Sequence, residues 1–302
     1  MVGAAVNAPI RASDCIGELC IALAYRWESE RLFVIFTAYF DEADTHGAAP
    51  TVILAAFLGH AFEWRRFEQK LAKLQRREGF SVFHAKDFKA KSGEFSGWSD
   101  EKCKRVISKL TGLVQSTLTE GMAFALTREL YLLEYRAPPI PRKMHLDSQY
   151  GVCFRVCMGR LFDIMAERSY QDRLNIVMER GHENVWDCER IFNDLRSHCK
   201  TLAGKDFLGS FSVRPKDGCP PLMVADMLAA TYSMYRAEHA KGAIAPDDLP
   251  ATPQTKGRLA FLELRPDALK DLKIGFDRMR QLKIEHWREQ RNAKKIASGF
   301  PF

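Results

Sequence analysis

The stretch LFVIFTAYFDEAD runs from Leu32 to Asp44. Nine uncharged residues, mostly β-branched or aromatic, end on Asp41 and Glu42, and a third acid follows at Asp44. A run of this kind predicts a buried strand over Leu32–Phe40. A carboxylate delivered by such a strand to the edge of a core is costly to ionise unless something positive meets it. The stretch therefore predicts an α/β domain and, at the end of its first strand, a site for a cation.

Two other segments repeat the pattern. Leu174–Met178 (LNIVM) predicts a short buried strand and stops on Glu179. Asp226 is the only charged residue between Pro220 and Tyr235. On a helix it shares a stripe with Leu222, Ala229 and Tyr232, and that stripe must face the core. The local sequence is read as offering Asp226 no Arg or Lys partner. The economical expectation is that Asp41, Glu179 and Asp226 meet at one sheet edge around a divalent cation. Hard carboxylate oxygens suit Mg²⁺ or Mn²⁺. Singly, each acid could equally be a cap, a turn residue or a hydrogen-bonded core acid.

The rest of the chain alternates strand and helix signals. Thr51–Leu58 (TVILAAFL) predicts a second strand. Phe62–Glu78 predicts an amphipathic helix ended by Gly79, with Trp64, Phe67, Leu71 and Leu74 inward. FSVFH, residues 80–84, reads as a short strand. Ser99 caps a helix that turns Cys103, Val106, Leu110 and Leu113 inward. Gly121–Arg128 predicts a strand, and APPIPRK holds three prolines that exclude regular structure. Tyr150–Arg168 and Glu183–Leu202 predict helices, Phe207–Arg214 a strand, and Pro221–Tyr235 a last core helix. This order predicts one α/β domain with a mixed sheet flanked by helices over residues 31–245. Residues 1–30 read as an N-terminal extension. Residues 246–302 read as a C-terminal extension ending in a basic helix, Ala268 to about Lys295.

Composition bounds the function. The 302 residues are 46% hydrophobic and 27% charged, the balance of a globular chain. A net charge of +7 fits an anionic partner such as nucleic acid, or only a solvated basic surface. No uncharged stretch is long enough to span a membrane. Eight cysteines occur without C-x-x-C or zinc-finger spacing, and most fall at apolar helix positions. A reduced, cytoplasmic compartment is expected.

Three segments carry a family resemblance. YFDEAD (Tyr39–Asp44) resembles the Tyr-x-Asp-Glu-Ser-Gly opening of the DUF3800 family. FHAKDF (Phe83–Phe88) is similar to its His-x-Lys segment, and PPLMVADMLAATY (Pro220–Tyr232) to its C-terminal Leu-Gln-x-Ala-Asp-Leu helix. Ala43 and Asp44 stand where the family usually has Ser and Gly, and Met223 where it has Gln. The resemblance implies a ribonuclease H-like fold. It also implies that Asp41, Glu179 and Asp226 are metal ligands, with Glu42 and His84 close by.

These features lead to metal-dependent phosphodiester hydrolysis on DNA or RNA as the expected activity. Asp41, Glu42, His84, Glu179 and Asp226 are the expected catalytic set. His84 and Lys86 would share one strand face. There His84 could move protons and Lys86 could contact a phosphate; Lys216 is a second candidate for phosphate contact. Arg65, Arg66, Lys70, Lys73, Arg76 and Arg77 line a polar helix face that could follow a nucleic-acid backbone or simply be solvated. Trp64 and Trp98 fit core packing better than base stacking. One alternative is an inactive scaffold of the same fold that binds nucleic acid or protein, as a homo-oligomer or with a partner. A two-carboxylate glycosidase fits less well, because of the basic balance and the buried position of Asp226.

Overall fold

The computed structural model describes residues 36–43, 50–118, 120–137, 146–167, 173–181, 184–203, 207–240, 258–273 and 289, without the side chains of 198–203 and 258. The expected start of the first strand at Leu32, the extension 1–30 and most of the basic C-terminal helix lie outside these residues.

Six strands form one mixed sheet in the order β5-β4-β1-β2-β3-β6. β1 (Phe36–Ala43), β2 (Thr51–His60) and β3 (Glu120–Thr127) make an antiparallel meander. β4 (Leu174–Glu179) and β5 (Leu208–Arg214) add on in parallel beside β1. The sixth strand, β6 (Arg258–Glu263), pairs in parallel with β3 at the other edge. It comes from the segment read as a C-terminal extension, so the sheet reaches past residue 245.

Period-2 alternation along β1 sorts the core. Phe36, Ala38 and Phe40 pack under helices α4 (Gln149–Glu167) and α5 (Val185–Ala203). Tyr39 packs on the other face, under α1 (Ala61–Glu78), α3 (Asp100–Thr117) and α6 (Leu222–Ala240). A mixed sheet with helices on both faces is the α/β layout expected of a ribonuclease H-like domain.

Local chemistry explains the element ends. α1 stops at Gly79, whose φ of 77° is the left-handed conformation that glycine adopts without steric cost. Ser99 caps α3 by accepting the Lys102 N–H. Trp64 is fully buried, and its indole N–H donates to the Thr37 carbonyl, so it belongs to the core. Trp98 is buried too, within a cluster of Phe80, Phe88 and Phe95. Cys153, Cys157, Cys188 and Cys219 are buried cysteines outside any disulfide and pack as small side chains. No helix among the described residues is long and apolar enough to cross a membrane.

One expected element is corrected. Residues 80–84 form no strand. Phe80 and Phe83 instead turn into the aromatic cluster with Phe88 and Phe95, and the chain enters a short helix, α2 (Ala85–Ala90), with His84 at its N-cap. His84 and Lys86 therefore do not share a strand face. His84 is half-buried and Lys86 is exposed on the helix.

Candidate metal centre

The sheet register explains why Asp41 and Glu179 meet. β1 and β4 run in parallel with Phe40 opposite Met178. One residue further along both strands come Asp41 and Glu179. Both follow the parity of Tyr39 and Val177, which pack on the α6 side of the sheet. α6 crosses that side over β1 and β2 and carries Asp226. Glu42 has the opposite parity and points toward α4, where the Tyr150 hydroxyl donates to its Oε2 at 3.1 Å.

A carboxylate oxygen from each of Asp41, Glu42 and Glu179 lies within 4.8 Å of the others. A second grouping overlaps with this one. The Lys216 Nζ lies 2.8 Å from Oδ2 of Asp41, 3.2 Å from Oε1 of Glu179 and 3.0 Å from Oδ2 of Asp226. Asp41 and Glu179 belong to both groups, Glu42 to the first and Asp226 to the second. This corrects the expectation that the local sequence offers Asp226 no basic partner, because the turn after β5 carries Lys216 back to it. Its Oδ2 also accepts the Ala85 N–H at 2.9 Å, which ties α2 to the site.

Burial makes the site electrostatically tense. Asp41 is 1% exposed and Lys216 6%. Desolvation pushes the Asp41 carboxyl well above the usual range. The hydrogen bond with Glu179 and the charges of Asp226 and Glu179 add to this, and Lys216 opposes it. Glu42 is raised to about 7, first by burial and then by the Glu179 charge, with Tyr150 and Lys216 pulling the other way. Burial alone would lower the Lys216 ammonium, but Asp41, Asp226 and Glu179 outweigh it and raise it.

The donor set suits a hard divalent ion. All the donors are carboxylate oxygens, the ligands Mg²⁺ and Mn²⁺ take. Oδ2 of Asp41 is buried and makes no hydrogen bond, although the Lys216 ammonium lies 2.8 Å from it. Asp41 and Glu179 would hold an ion in common, with Glu42 or Asp226 as the third ligand.

The convergence of three acids follows from the sequence. The Tyr150 contact and the position of Lys216 do not. The sequence places Lys216 open to a phosphate, whereas the structure encloses it by carboxylates. A signal was available, since Lys216 follows β5 by two residues and so emerges at the edge where β4 ends. A second acidic cluster elsewhere is structural. Asp147 is held by both Nε and a terminal nitrogen of Arg155, while Asp187 pairs with Arg190 and accepts from Ser148. Each acid there is satisfied, and the network joins α4 to α5.

No family profile matches the chain, and no curated protein matches it. Among solved structures it is similar to Bst-RNase HIII in complex with Mn²⁺, with 14% identity and a TM-score of 0.40, over 72% of this chain and 58% of that one. A point mutant of Bst-RNase HIII gives 14% identity and a TM-score of 0.39, over 71% and 58%. The match thus spans less than two thirds of the length of these neighbours. At this level the likeness concerns the layout of the chain and says nothing about chemistry.

Proposed function

We propose that the chain is a divalent-metal-dependent hydrolase of phosphodiester bonds in nucleic acid. The observation that carries this reading is the convergence of carboxylates from β1, β4 and α6 on one buried cation position. Bound Mg²⁺ or Mn²⁺ would polarise the scissile phosphate and supply a water of lowered pKa. The chain's own residues would do the rest. Asp41 and Glu179 would hold the ion, while Tyr150 fixes the orientation of Glu42 and the Ala85 N–H that of Asp226. The exposed Lys86, one residue beyond Ala85, would meet a phosphate as a point charge. The exposed basic residues of α1 offer non-specific attraction for a polyanion.

The three family motifs agree with this reading, and so does the basic balance of the chain. The test is incubation of labelled single- and double-stranded DNA, RNA and hybrid with Mn²⁺ or with EDTA. Metal-dependent cleavage by wild type that is lost in Asp41→Asn and Glu179→Gln supports the proposal. No cleavage of any substrate would sink it.

A second reading rests on one specific observation. The Lys216 ammonium already fills the cation position, as it would in a scaffold that had exchanged its metal for a fixed internal charge. Such a protein would bind nucleic acid or protein without cutting, and would not respond to Mn²⁺.

A further inference from the structure

Lys216 sits in an unusual place for a lysine. It opens the short turn Lys216–Gly218 directly after β5, and its backbone is held there by the Cys219 N–H to Lys216 carbonyl bond at 3.2 Å. Cys219 is fully buried and Asp217 is exposed, so the turn is pinned on one side and open to solvent on the other. The side chain runs inward, and its ammonium has three N–H donors for three carboxylates. Charge balance is incomplete, because one positive group faces Asp41, Glu179 and Asp226, with Glu42 beside them.

Mg²⁺ takes carboxylate oxygens at about 2.0–2.1 Å, closer than an ammonium approaches them. The ammonium is centred among the same oxygens at 2.8–3.2 Å. Two cations cannot share that volume. We propose that Lys216 is the resident cation of the metal-free site, and that a divalent ion binds only by displacing its ammonium toward the solvent side of the turn. The inference rests on the metal-site reading of Asp41, Glu179 and Asp226, and adds a device that sets how tightly the metal is held. The lysine keeps the metal-free acids together and lowers the affinity for the ion that replaces it. After displacement the ammonium remains tethered at the mouth of the site, where an anionic substrate would arrive.

Two measurements test this. In the first, Mn²⁺ is titrated calorimetrically into wild type and Lys216→Met, a substitution that keeps an unbranched side chain one atom shorter and removes the charge. The variant is expected to bind Mn²⁺ at least about tenfold more tightly, about 1.4 kcal/mol, and to melt lower than wild type in EDTA. Binding by the variant alone also supports the inference. Equal or weaker binding by the variant, with wild type binding normally, overturns the inference and leaves the metal site standing. Binding by neither protein at millimolar Mn²⁺ overturns the metal site and the inference with it. The second measurement uses wild type alone and so stands even if the variant fails to fold. Lysines are acetylated in EDTA and in Mn²⁺ and read by mass spectrometry. Lys216 should be protected in EDTA and modified faster in Mn²⁺, and equal protection in both, at a Mn²⁺ concentration that the calorimetry shows wild type to bind, overturns displacement.

Discussion

The ammonium of Lys216 lies 2.8 Å from Oδ2 of Asp41, and both residues are withdrawn from solvent. This ion pair decides how the metal-free protein behaves. Breaking a buried pair costs about 3–5 kcal/mol where the remaining charge is left uncompensated, but Lys216 keeps Glu179 and Asp226 when Asp41 is removed. Asp41→Ala is therefore expected to lose less than that in EDTA, measured by urea denaturation. Asp41→Asn keeps the shape and should lose less, which makes it the better variant for activity work.

Asp226 illustrates how a partner reverses the sign of a substitution. An isolated buried carboxylate would gain by neutralisation, and the sequence alone points that way. The structure gives Asp226 the Lys216 ammonium at 3.0 Å and the Ala85 N–H at 2.9 Å. Asp226→Asn is therefore expected to destabilise the metal-free protein, by about 1.5–3 kcal/mol, the range for a hydrogen bond to a charged group. Thermal melts in EDTA check this, and a variant that melts above wild type would show that the pair with Lys216 is not formed.

Glu42 sets a pH dependence. Its folded-state pKa of about 7 is above the ordinary value of 4.5. Between those values the folded protein keeps a proton that the unfolded chain has lost. The stabilisation is present below the unfolded pKa and is lost as pH rises through the folded one. Asp41 is raised as well and adds in the same direction. In EDTA, stability should fall between about pH 4.5 and 7 by roughly 3 kcal/mol for Glu42 alone. Glu42→Gln should flatten much of that slope. Chemical denaturation of both proteins at about pH 5 and about pH 8, on either side of the folded-state value, measures it.

Tyr150 holds Glu42 from the far side of the sheet. Its hydroxyl donates to Oε2 at 3.1 Å and is itself buried. Tyr150→Phe should cost about 1 kcal/mol of stability. It should also weaken Mn²⁺ binding by about 10-fold or more if Glu42 is a ligand, as loss of an orienting bond to a ligand does. An unchanged affinity would assign the third ligand position to Asp226 instead.

Much of this site is legible in the sequence because strand parity and helix stripes are local. The apolar run before Asp41, the run before Glu179 and the lone charge on α6 each follow from spacing of a few residues. The position of Lys216 two residues past β5 is a signal only once β5 is paired beside β4, and that pairing joins segments far apart in the chain. Residues 80–84 mislead for a different reason. Phe80, Val82 and His84 give a strand-like alternation, yet the phenylalanines are used by an aromatic cluster whose other members, Phe88, Phe95 and Trp98, come later in the chain. β6 is masked by the polar tail that surrounds it. The alternation of Leu259 and Phe261, both packed toward the α6 side, is the available signal.

The central claim is that Asp41 and Glu179 hold a divalent ion at the end of β1 and β4. Anomalous diffraction from crystals soaked in Mn²⁺ tests it most directly. A Mn²⁺ peak is expected between Asp41 and Glu179, with Glu42 or Asp226 completing the protein ligands and the Lys216 ammonium moved out of the cluster. No anomalous peak at this position in crystals fully exchanged into Mn²⁺, with Lys216 still enclosed by the three carboxylates, would contradict it.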